Sequence, residues 1–369
     1  NLANLYKNTQ RLSESEAMYK EALEIRRRLA ESNPQAYEPY VAHTLNNLAI
    51  LYSDTQRLSE SEVMYKEALE IYRKLVESNP QAYEPDVALT LYNLAILYSN
   101  TQRLAESEAM YKEALEIYRR LAESNPQAYE PDVALTLNNL ANLYKNTQRL
   151  SESEVVYKEA LAIYRRLSEA NPQTYELSIA EIQYNVGLLQ VELEDIGKAI
   201  SSFEEALAIS GKLVKDNTAY KYLYEQSLFG LGAVYANIGD YTTAYNRYEE
   251  LLPLLKDGYY VNPSQYKGFY TASLGNHSFQ CIFVSEFKEA EQYARKGLEI
   301  DSTETWIYSN LAAALLFQGK YGEAEALYLK YKEELKDVFL SDFDAFEKAN
   351  VIPEKYKEDV EKIKQMLHE

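Results

Sequence analysis

Apolar residues recur along this chain at steps of three and four, the spacing of one face of an α-helix. From Pro85 onward, Val87, Ala88, Leu91, Leu94, Ala95 and Tyr98 define such a face, and the polar run Asn100-Thr101-Gln102-Arg103 breaks it. A second face follows through Leu104, Ser107, Tyr111, Ala114, Leu115, Tyr118, Leu121 and Ala122. It is expected to end near Asn125-Pro126, because proline disfavours helix at the residue before it. Pro85 is placed in a first helical turn, where its missing N–H costs nothing. The second helices carry a start signal as well. Ser13 with Glu16, Ser59 with Glu62 and Ser151 with Glu154 read as capping boxes, whereas Ala105 before Glu108 has lost the hydroxyl.

The pattern is tandem. Asn-Pro recurs at Asn33, Asn79, Asn125 and Asn171, a constant step of 46 residues, and residues 55–85 differ from residues 101–131 at only four positions. A helical hairpin on its own leaves apolar surface uncovered, so hairpins of this kind must stack into a shared core, which predicts a curved all-α solenoid. The predicted organisation is one continuous solenoid: near-identical units over residues 1–175, divergent units over 176–336, and a linker with a capping helix over 337–369, the helix itself spanning Pro353 to Leu367. Asn1 already lies inside a unit, so the natural protein is expected to continue upstream.

These residues resemble the tetratricopeptide repeat. Leu94, Ala95, Tyr98, Ser107, Tyr111 and Ala114 fall at that family's large, small, aromatic, small, aromatic and small positions. The same frame recurs from Leu2, Leu48 and Leu140, and in weaker form at Gly187, Gly232, Ser278 and Ala312, giving eight units to about Lys336. The long unit with Thr-Leu-Asn-Asn-Leu-Ala at Thr136 to Ala141 looks like the repeats of kinesin light chain and of bacterial proteins related to it. The resemblance implies a right-handed superhelix of antiparallel helix pairs and a module that binds proteins or peptides.

Two residues before each small position stands an amide: Asn1, Asn47, Asn93, Asn139, Asn185, Asn276 and Asn310, with Gly230 the one exception. In related solenoids this position faces the concave side, where an amide can both donate to and accept from a peptide backbone. The competing reading is that each amide ties its repeat to the next. One residue earlier lie Asn46, Tyr92, Asn138 and Tyr184, and one turn later Asn4, Ile50, Ile96 and Asn142, which together make the candidate groove. None of the corresponding pairs contains a cation, which argues against a clamp for a C-terminal carboxylate.

Composition narrows the partners. With 57 acidic against 38 basic residues the net charge is -19, which disfavours nucleic acid and anionic membrane and favours a polypeptide. The longest apolar run, Leu311 to Phe317, is far short of the roughly 20 residues of a membrane span. His43, His277 and His368 are isolated, Cys281 falls on a core position, and Gly230 and Gly232 lie inside a helix, so no enzyme, metal or cofactor is expected. A single cysteine makes a cytoplasmic location the default expectation. The reading is a non-catalytic scaffold; a sensing arm of a larger signalling protein or enzyme, and a spacer or self-association element, are the alternatives.

Overall fold

The computed structural model describes residues 2–369, and 18 helices with no strand make up the described residues. The chain divides into two compact units, Asn1–Glu176 and Leu177–Glu369, and the division falls within a helix. The first hairpins pair α1 (Leu2–Asn8) with α2 (Leu12–Ser32), α3 (Pro34–Asp54) with α4 (Leu58–Ser78), α5 (Pro80–Asn100) with α6 (Leu104–Ser124), and α7 (Pro126–Asn146) with α8 (Leu150–Ala170). Next come α9 (Pro172–Glu192) with α10 (Ile196–Asp216), α11 (Lys221–Asn237) with α12 (Tyr241–Val261), α13 (Pro263–Phe283) with α14 (Phe287–Ile300), and α15 (Ile307–Leu316) with α16 (Tyr321–Lys330). α17 (Lys332–Lys348) and α18 (Lys357–His368) close the second unit. Most of the expected linker, 337–348, is therefore helix, because Leu335, Phe339, Phe343 and Phe346 recur at helical spacing and are all buried.

Two local expectations are corrected. The first helices begin at the proline of Asn-Pro, five residues before Pro39, Pro85 and Pro131, which sit inside them. The cap is the asparagine: Asn79 Oδ1 accepts from the Ala82 N–H at 3.3 Å, and Pro80 takes the first helical position. The joint between hairpins is thus one residue, and two 21-residue helices with a three-residue turn complete the 46-residue unit. The capping boxes do not form. α4 starts at Leu58 with Arg57 as its cap residue and no side-chain cap bond.

The turn explains why. Gln56, Gln102 and Gln148 lie in the left-handed region at φ near 60°. The following arginine N–H then reaches back across the helix end, Arg103 N to Tyr98 O at 2.8 Å, and Gln102 N bonds Ser99 O at 3.1 Å. This paired closure fixes the start of the second helix without a serine cap.

Two of the glutamates expected in the boxes, Glu16 and Glu62, cross to the next hairpin instead. Glu62 accepts from Arg103 at 2.6 Å and from the Tyr98 hydroxyl at 3.1 Å, while the Arg103 guanidinium lies 4.1 Å from the centre of the Tyr98 ring. Glu16 with Arg57 and Tyr52, and Glu108 with Arg149 and Tyr144, repeat the latch. Within each hairpin, small residues let the helices close. Ala95 and Ala114 are fully buried, and the buried Ser107 Oγ donates to Ala95 O at 2.8 Å. Burial of Leu91, Leu94, Tyr111 and Tyr118 supplies the core, and truncating one such leucine to alanine costs about 2–5 kcal/mol.

Candidate functional site

Successive first helices also touch one another, α3 with α5 in the first unit, and α11 with α13 and α13 with α15 in the second. The amides stand on these first helices at one repeated register. Asn47, Asn93 and Asn139 are half-exposed on α3, α5 and α7, as are Asn185 and Asn276 on α9 and α13. The Asn1 position and the side chain of Asn4 lie outside the described residues.

The amides do different things. Asn139 Nδ2 donates to the Tyr92 hydroxyl of the preceding hairpin at 2.6 Å, and Asn276 Nδ2 donates to the Tyr248 hydroxyl at 3.3 Å. Asn47 Nδ2 turns back on its own helix, 2.9 Å from His43 O and 3.0 Å from His43 Nε2. Asn310 departs from the expected groove role: it is 3% exposed and its amide donates to Gly275 O at 2.8 Å, so it ties two hairpins together and presents nothing to a ligand. Asn93 and Asn185 have no hydrogen-bond partner among the described residues. The interruption at Gly230 has a steric cause. A Cβ there would lie 3.0 Å from the Phe203 ring, which fills the space.

The neighbouring register alternates. Tyr92 packs edge-on against Tyr111 with ring centres 5.9 Å apart, and Tyr184 packs on Phe203 at 5.7 Å with its hydroxyl donating to Gln226 Oε1 at 2.7 Å. Asn46 and Asn138 hold the same position in the intervening units, and each keeps a buried Oδ1 that receives no donor. Leaving such an acceptor unmet costs about 1–3 kcal/mol. Asn142 Oδ1 accepts from the Tyr157 hydroxyl, so that amide is already engaged. Ile50 and Ile96 are half-exposed beside these residues.

The face is acidic. Asp86 and Asp132 are half-buried, and burial raises both carboxyls above their ordinary value. Lys7 is neutralised by Asp54 at 2.8 Å. Neither aspartate was singled out by sequence; their signal was their recurrence at a 46-residue interval on the same helix face as the amides.

Elsewhere the structure gathers residues that looked isolated. His277 Nε2 lies 2.7 Å from Glu249 Oε1, which also accepts from the Tyr293 hydroxyl at 3.1 Å. Burial lowers the pKa of His277 and raises that of Cys281, one turn along the same helix, so the thiol is held protonated and unreactive. Among the described residues no group of three or more His, Cys, Asp or Glu is arranged to hold a metal, and no helix is long and apolar enough to cross a membrane.

Comparisons with known proteins fit this geometry. A family model described as tetratricopeptide repeat matches residues 1–74, 86–166 and 132–212, and a second model of the same repeat matches 305–330. Among solved structures, BtubC (BKLC) from P. vanneervenii is 26% identical, with 66% of this chain and 90% of that chain covered and a TM-score of 0.52. The apo form of RapI shares 14% identity over 97% of each chain at a TM-score of 0.54. A signal transduction ATPase with numerous domains from Pyrococcus horikoshii, which carries a tetratricopeptide repeat sensor, is 17% identical at a TM-score of 0.57. That match covers 90% of this chain and 49% of the other, so this chain spans about half its length. These last two show the fold alone. No curated protein matches the chain.

Proposed function

Because this chain belongs to the tetratricopeptide repeat family, we propose that it is a non-catalytic scaffold that docks a segment of another polypeptide along the inner face of its first helices. The supporting observation is the ladder of half-exposed amides at a single register, of which Asn93 and Asn185 are unengaged. An amide carries two donors and an acceptor, which suits a peptide backbone whatever its side chains. Tight hairpin joints and the Glu62–Arg103 type of latch hold these groups in place, which lowers the ordering cost of docking.

Photo-crosslinking tests this reading. A benzoylphenylalanine placed at Ile96, on the inner face, is compared with one at Lys112, which is exposed on a second helix. The expected result is adducts from position 96 that map to one contiguous segment of a partner. Adducts from position 112 alone, or from neither, overturn it.

A further inference from the structure

The ladder is not uniform, and its irregularity has a direction. At Tyr92 and Asn139 the tyrosine spans the gap between hairpins and the hydrogen bond closes at 2.6 Å. One unit earlier the same two positions hold Asn46 and Asn93. Asparagine is too short to span that gap. Asn46 is 7% exposed with its Oδ1 lacking a donor, and Asn93 has no partner among the described residues.

His43 lies one turn before Asn46 on α3, and Asp86 lies on the adjacent first helix, α5. The Asp86 carboxylate has neither an ion pair nor a donor among the described residues, and Asp132 on α7 is equally unpartnered. Asp86 and Asp132 hold the same register on α5 and α7, 46 residues apart, so they recur along one stretch of the face. At the register of His43 the next units expose Leu89 by 42% and Leu135 by 40%. The polar groups left unmet here are the Asn93 amide, the buried Oδ1 atoms of Asn46 and Asn138, and the two carboxylates, so acceptors outnumber donors and neither carboxylate has an ion-pair partner among the described residues.

We propose that the stretch from α3 to α7 is a subsite for an extended basic peptide, with its main chain on the half-exposed, unengaged Asn93 amide, Lys or Arg side chains at Asp86 and Asp132, and apolar side chains on Leu89 and Leu135. The proposal rests on the docking reading above and names its partner class. Where tyrosine replaces the first asparagine, at Tyr92 and Asn139, the subsite is closed by the protein's own hydroxyl. The net charge of -19 acts in the same sense, attracting a cationic segment before contact.

The test uses the whole chain and two fluorescein-labelled nine-residue peptides, Lys-Leu-Ser repeated three times and the same sequence with Glu for Lys. The lysine peptide is expected to bind and the glutamate peptide to fail. Asn46→Tyr should rebuild the closed pair with Asn93, weaken binding at least tenfold and raise the melting temperature. Asp86→Asn should weaken binding about fivefold without lowering the melting temperature. Lysine-peptide binding that is absent, or unchanged in both variants, overturns the subsite, as does a melting temperature that falls in Asn46→Tyr. Ile96→Arg separates the two readings. Binding lost in Ile96→Arg but kept in the other two variants leaves the groove standing and removes the subsite; binding kept in all three removes both.

Discussion

The amide of Asn139 donates to the hydroxyl of Tyr92, 47 residues earlier, at 2.6 Å, so one hydrogen bond joins two successive hairpins across the candidate groove. Its net worth is about 1 kcal/mol, the usual contribution of a neutral bond. Tyr92→Phe and Asn139→Ala should each destabilise by roughly that amount. The double variant should cost little more than either alone, since the two singles remove the same bond. Urea unfolding of the four proteins measures the coupling, and strict additivity would refute it.

The latch predicts acid sensitivity. The hydrogen bond from Arg57 lowers the Glu16 carboxyl from 4.5 to about 2, against the opposing effect of burial. A depressed folded-state value means that the stabilisation is present above pH 4.5 and is lost as pH falls from there toward 2. Arg57→Gln should therefore lower stability at pH 7 and show a shallower loss than the parent between pH 4.5 and 2. Urea midpoints across that range read the difference.

Asp342 behaves in the opposite sense. Burial raises its carboxyl from 3.8 to about 6, opposed by the hydrogen bond it accepts from Ser309. A raised folded-state value penalises the fold above pH 6, and the penalty is relieved as pH falls through 6 toward 3.8. Asp342→Asn keeps an acceptor for Ser309 and removes the charge. It should stabilise the protein at pH 7.5 and have no effect by pH 4, which melting curves at the two pH values will show.

The turns offer a fourth measurement. Gln56, Gln102 and Gln148 adopt φ near 60°, where a side chain is disfavoured and glycine is not, and Gly239 and Gly319 already occupy equivalent turns. Gln102→Gly should raise stability by about 0.5–1 kcal/mol, the relief of strain exceeding the entropy that glycine adds to the unfolded chain. A loss of stability would show that the glutamine side chain holds the turn.

Helix pairing and register in the near-identical units were legible in the sequence because a 46-residue recurrence converts a weak local pattern into a repeated one, whereas α17 lies beyond that recurrence and was read as linker. Local signals failed where two were present together. Pro80 and Pro85 both suit a first helical turn, and only packing selects the earlier one. Ser59 with Glu62 has the spacing of a capping box, but the left-handed residue at Gln56 had already fixed the helix start, which freed the glutamate to pair with Arg103. Contacts 41 residues apart leave no local trace. The Asn46 and Tyr92 alternation was visible as letters, yet its meaning lay in reach across a gap, which a sequence does not display.

The single residue between hairpins, Asn79 or Asn125, restricts how such a gene can change. With no slack at that joint, an insertion of a few codons would turn every following helix off its stripe. Gain or loss of a whole 46-residue unit leaves each joint, latch and amide in phase. In the near-identical segment, array length is thus free to vary by recombination, while the geometry within a unit is not.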